Sequence, residues 1–139
     1  MKKSYSIISA IVFVILVFSA NAVYGQEDVS QLLKQLEDDS DRFSNSATKA
    51  LDESKYDGTA TEDQLVRFVR DFEDSIDRLK KAHDGGEDPM IPAKEVLARA
   101  KAIDKFLKKN DLGAAVTTDW GTVKSDLTRV AAAHKLKAS

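Results

Sequence analysis

A chain of 139 residues with 23 acidic and 21 basic side chains, two histidines and no cysteine has room for one domain. The missing cysteines exclude disulfides, thiolate zinc sites and thiol catalysis, so stability must come from packing. A formal net charge of −2 speaks against the concentrated basic surface that nucleic-acid binding needs.

Residues 1–25 read as a secretory signal peptide. Lys2 and Lys3 form a positive n-region, Ile7 to Phe18 is an apolar run, and Ala20-Asn21-Ala22 or Val23-Tyr24-Gly25 supplies small residues for cleavage. No charge falls between Lys3 and Glu27, so an uncleaved anchor long enough to span a bilayer is the alternative. No cysteine stands at the junction, which closes the lipoprotein route. Both readings place the remaining domain, residues 26–139, in the periplasm or outside the cell. Without Lys2 and Lys3 that domain carries 19 basic and 23 acidic side chains, a net charge of −4. Its basic pairs Lys80-Lys81, Lys108-Lys109 and Lys135-Leu136-Lys137 each fall near a predicted helix C-terminus, where cations complement the helix dipole.

The first helix is predicted from about Asp28 to Lys55. Val29, Leu32, Leu33, Leu36, Phe43, Ala47, Ala50 and Leu51 recur at helical spacing, and Asp28 is placed to cap the start. Asp38, Asp39 and Asp41 lie between apolar positions and Ser40 occupies one, which makes the middle of this helix its weak point. Asp57-Gly58 ends it. The second helix opens on a capping box, Thr61-x-x-Gln64. Leu65, Phe68, Val69, Phe72, Ile76 and Leu79 form its stripe, and Asp84-Gly85-Gly86 stops it. Arg67–Asp71, Arg70–Asp74, Asp74–Arg78 and Asp77–Lys81 are spaced for ion pairs on its outer faces.

The third helix is predicted to begin at Pro92, with Val96, Leu97, Ala100, Ile103, Phe106 and Leu107 inward, and Asn110-Asp111-Leu112-Gly113 closes it. The fourth, capped near Thr118 or Asp119, carries Trp120, Val123, Leu127, Val130 and Ala131. The first helix would reach roughly 40 Å and the last two roughly 27 Å at about 1.5 Å per residue, so its opening turns are expected to overhang. Short connections favour antiparallel neighbours. The expected fold is all-α, an up-down-up-down four-helix bundle behind a cleavable signal-peptide helix.

The stretch Leu51-Asp-Glu-Ser-Lys-Tyr-Asp-Gly-Thr59 runs into Phe68-Val-Arg-Asp-Phe-Glu-Asp-Ser-Ile-Asp-Arg-Leu79. It continues through Val96-Leu-Ala-Arg-Ala-Lys-Ala-Ile-Asp-Lys-Phe106 and Trp120-Gly-Thr-Val-Lys-Ser-Asp-Leu-Thr-Arg-Val-Ala131. This order resembles an uncharacterised family of small exported bacterial helical proteins with a closing W-x-x-[LIV]-[RK]-x-D-L-x-x-[LV]-A segment. In that family an aromatic-rich end usually follows, whereas this chain ends His134-Lys-Leu-Lys-Ala-Ser139. The resemblance implies a helical fold and export, and no activity.

The acids Asp71, Glu73, Asp74 and Asp77 invite a metal reading, but the Glu-x-x-His motif of carboxylate-bridged bundles is missing; a salt-bridged face is expected. Asp77-Arg78 with Arg99 and Asp104 is placed to cross between the second and third helices and fix their register, or to clamp an anion. His83 and His134 each extend their helix's stripe by four residues. They are the candidate metal or haem ligands at one bundle mouth, near Met90 in the adjoining loop, and capping of terminal carbonyls is their structural alternative. Tyr56, Phe68, Phe106 and Trp120 are expected to gather at the opposite end, as a core plug or as an interaction surface. No nucleophile motif or phosphate-binding loop occurs.

The expected function is therefore a non-enzymatic exported structural or protein-interaction module, working through an unknown protein partner or self-association. No cofactor, nucleic acid or membrane contact after cleavage is expected. A small-ligand, haem or metal carrier is the alternative, and a periplasmic chaperone-like protein the third.

Overall fold

The computed structural model describes residues 28–137; the expected signal peptide lies outside them. Four α-helices and no strand occur among the described residues: α1 (Val29–Asp52), α2 (Ala60–Asp84), α3 (Met90–Lys109) and α4 (Ala114–Ala133). None is long and apolar enough to cross a membrane.

The helices pack in a ring, each against two neighbours, while α1–α3 and α2–α4 stand diagonally with no Cα pair within 8 Å. Neighbours run antiparallel. Ser30 at the start of α1 meets His83 at the end of α2, Arg78 late in α2 meets Glu95 early in α3, and Asp104 late in α3 meets Trp120 early in α4. The α1–α4 and α2–α3 seams are the closely packed ones, and α3–α4 is the most open. Leu36, Phe43, Leu65, Phe72, Leu79, Val96, Ile103, Val123 and Val130 fill the core. Full burial of such a side chain stabilises the fold by about 1.5–3 kcal/mol.

The helix starts depart from the sequence reading for local reasons. The α2 cap is Thr59 rather than Thr61. Gly58, at φ 70°, turns the chain there, and its N–H donates to Glu62 Oε2 at 2.6 Å, while the Thr59 hydroxyl donates back to the Tyr56 carbonyl at 2.6 Å and makes no capping-box bond. Helix α3 starts at Met90, which is therefore helical and not in the loop. Asp88 Oδ1 accepts from the Met90 N–H at 3.0 Å, and Pro92 sits in a first turn whose N–H groups have no intrahelical partner. Helix α4 starts at Ala114 because Val116 is buried and extends the stripe one turn upstream of Trp120.

The start of α1 does not overhang. Leu32 and Leu33 are buried, His83 reaches Ser30 from α2, and α1 and α2 match in length at 24 and 25 residues. At the far end of the chain Lys135 adopts φ 54°, the Leu136 N–H donates to the Ala131 carbonyl at 2.7 Å, and the Leu136 side chain folds onto the core.

Candidate functional site

The two histidines serve helix ends. His134 Nδ1–H donates to the Val130 carbonyl at 2.8 Å, and His83 Nε2 lies 3.0 Å from Ser30 Oγ. No described group of three carboxylate or imidazole ligand atoms close enough to share a cation contains either one. The trio that is close enough is Asp52, Asp57 and Glu62, in and around the α1–α2 turn; its two aspartates are exposed.

Phe106 and Trp120 belong to the buried core and Tyr56 and Phe68 pack against it, in separate ring contacts. Phe68 and Phe106 meet edge to face across α2–α3, with centroids 6.4 Å apart. Trp120 sits deeper, 4.9 Å from Phe43 and 5.9 Å from Phe72. Tyr56 packs on the edge of the core, with the Lys55 ammonium 5.2 Å from its ring centroid. The pattern missed this grouping because Phe43 and Phe72 project from α1 and α2 at the level where α4 brings Trp120 inward.

The charges of α2 are also used across seams rather than along one helix. None of its four expected i,i+4 pairs closes as a salt bridge. Arg78 binds Glu95 at 2.7 Å, and Arg99 reaches Asp71 at 3.5 Å and Glu95 at 3.6 Å. Arg78–Glu95 and Arg99–Asp71 join α2 to α3, as expected of Arg78 and Arg99, while Arg99–Glu95 lies within α3 and Asp104 turns to α4. It accepts from Trp120 Nε1–H at 3.2 Å and pairs with Lys108 at 2.7 Å and Lys124 at 3.4 Å. The Lys108 bond first, with the Trp120 donor and the lysine charges, holds its carboxyl below the usual range.

Two carboxyls sit in the α1–α4 seam. Asp39 is 6 % exposed and Asp126 is 2 % exposed, with Arg42 on the first at 2.8 Å and Arg129 on the second at 3.0 Å. Burial pushes Asp126 up to about 7, and the hydrogen-bonded carboxyl of Asp39 and its charge add to the shift. Asp126 Oδ2 has no donor aimed at it. Protonation of Asp126 removes one of two like charges from the seam. Ser75, fully buried, donates to the Phe72 carbonyl instead.

The most distinctive surface belongs to α3, which carries six basic and two acidic side chains while α1 and α2 are each net −2. Lys94, Lys101, Lys105 and Lys108 recur at intervals of seven, four and three, and all are exposed, so they form one stripe. Sequence reading assigned Lys108 to a helix end and did not single out the other three; the spacing itself was the signal. Grooves flank the stripe on both sides. Towards α2, a groove of about 400 Å³ is lined by Phe68, Ala98, Ala102, Phe106 and Lys109. Towards α4, one of about 450 Å³ is lined by Leu97, Ala100, Trp120, Lys124 and Leu127. Lys101 and Lys105 border both. Neither forms a salt bridge among the described residues.

Comparison with known proteins yields no matching family model, no matching curated protein and no matching solved structure.

Proposed function

We propose that the chain is a non-enzymatic, exported interaction module of the small bacterial helical family it resembles, an up-down-up-down bundle whose working surface is the α2–α3 face. The observation that carries this is the Phe68–Phe106 pair bordered by Lys101, Lys105 and Lys109. Phe68 stays half-buried, and an aromatic anchor ringed by cations is the composition of an interface centre. The complementary partner is acidic with an apolar side chain to insert, either another exported protein or the net-negative α1–α2 side of a second copy. Export is inferred from the signal-like pattern of residues 1–25.

Sedimentation of the protein alone and with the exported fraction of its host tests this. Association should weaken with salt and disappear in Lys101→Glu/Lys105→Glu/Lys109→Glu. A triple variant that keeps the same partners and the same sedimentation would remove the α2–α3 face from consideration.

A further inference from the structure

The groove on the other side of α3 has a different chemistry from a protein docking face. Helices α3 and α4 are the least closely packed neighbours, although a connection of only four residues, Asn110 to Gly113, joins them. Small Ala100 on α3 leaves a depression beside half-buried Leu97, floored by the buried side chains of Leu127 and Trp120. Four lysines stand around that space, Lys101, Lys105, Lys108 and Lys124, and Asp104 is the single carboxylate among them. Asp104 is already committed to Lys108, Lys124 and Trp120 Nε1–H, so the rim keeps a net charge of +3. A volume of about 450 Å³ is that of a small-molecule site, and such sites combine apolar walls with a few placed polar groups.

We propose that this groove binds a small amphiphilic anion, with its apolar body along Leu97, Ala100, Trp120 and Leu127 and its acid group between Lys101, Lys105 and Lys124. Charge complementarity selects the occupant. A neutral apolar molecule leaves three ammonium groups uncompensated, and a compact inorganic anion leaves the half-buried Leu97 uncovered. Lys101 and Lys105 form no salt bridge within the described chain, so an acid group meets them without first displacing a carboxylate. Lys124 holds Asp104 at 3.4 Å, long for a charge-assisted bond, and can turn towards a better-placed acid. The site shares Lys101 and Lys105 with the α2–α3 groove, whereas Trp120, Lys124 and Leu127 border this one and not that.

Trp120 is the only tryptophan in the chain, so its fluorescence reports occupancy directly. Dodecanoate, titrated below its micellar concentration, should change Trp120 emission saturably, with affinity falling as salt rises. Dodecanol, which has the same chain and no charge, should give no saturable change. Lys101→Ala/Lys124→Ala should keep its circular dichroism and bind dodecanoate about tenfold or more weakly, as loss of two charge-assisted contacts requires. An equal response to dodecanol, or an unchanged affinity in the double variant, overturns the acid-group assignment. No saturable response to dodecanoate overturns the site. Phe68→Ser, which touches only the α2–α3 groove, should leave the titration unchanged while weakening partner association, so the two proposals fail separately.

Discussion

Asp39 on α1 and Asp126 on α4 place two buried carboxyls in the most closely packed seam of the bundle, each held by an arginine three residues further along its own helix. Two ionised carboxylates in that position would repel one another and lack solvent. One proton makes the pair tolerable.

This arrangement sets a pH dependence. The folded-state pKa of Asp126 lies near 7, above its ordinary 3.8, so the native state binds the proton more tightly than the unfolded chain. Its stabilising contribution is complete below about 3.8 and is lost as pH rises through about 7. Glu95 and Asp104 are shifted the other way by their cationic partners, so their contribution is lost as pH falls below the ordinary carboxylate range. Stability against urea should therefore peak on the acid side of neutrality, between about pH 4 and 6. Asp126→Asn, which removes the charge, should stabilise the protein at pH 8 by about 1 kcal/mol and change little at pH 5. A variant that loses stability equally at both pH values would show that Asp126 is ionised in the native protein.

Asp104 joins α3 to α4 through Trp120 and Lys124. Asp104→Ala removes the acceptor of the Trp120 Nε1–H and should cost about 1–2 kcal/mol. Chemical denaturation followed by tryptophan fluorescence measures both the cost and any change at the indole itself. The parent emission should be that of a buried indole, since Trp120 is 3 % exposed.

Phe43 is the side chain on which Trp120 packs most closely, and it is fully buried. Phe43→Ala should cost about 3–5 kcal/mol and collapse the near-ultraviolet dichroism of Trp120 while leaving helicity largely in place at low temperature. Phe68→Ala, at the half-buried edge of the same structure, should cost clearly less.

Lys135 takes a left-handed conformation that L-residues adopt only at a cost. Lys135→Gly should raise stability by about 0.5–1 kcal/mol, because the turn that returns Leu136 to the core then carries no strain. A calorimetric midpoint at or below that of the parent would argue that the Lys135 side chain contributes elsewhere.

The helical stripes were legible because apolar side chains recur at three and four residues along every element, and the turns because Gly58, Gly86 and Gly113 all take positive φ. Helix starts were less so. Thr61 and Thr59 are equally plausible caps on paper, and the choice rests on where Gly58 lets the chain turn. Asp39 and Asp126 escaped notice because a carboxylate reads as solvent-facing. Yet Asp39 stands three after Leu36 and four before Phe43, and Asp126 stands three after Val123 and four before Val130, so both occupy core positions. The grooves beside α3 depend on how far neighbouring helices approach, which no spacing along one helix encodes.

The tightest seam joins the first helix to the last, and that has a consequence for how the chain acquires its shape. Helices α2 and α3 lie side by side across a five-residue connection, Gly85 to Pro89, so they can form a hairpin early, through short-range contacts. Helix α1 must wait for α4, more than sixty residues further on, before Leu36, Phe43 and the Asp39 carboxyl are enclosed. A chain that emerges from the ribosome N-terminus first therefore cannot close its core until the final helix is out. Late docking of α4 makes the folding barrier a property of the complete chain, and a truncation before Trp120 should leave α1 open to proteolysis.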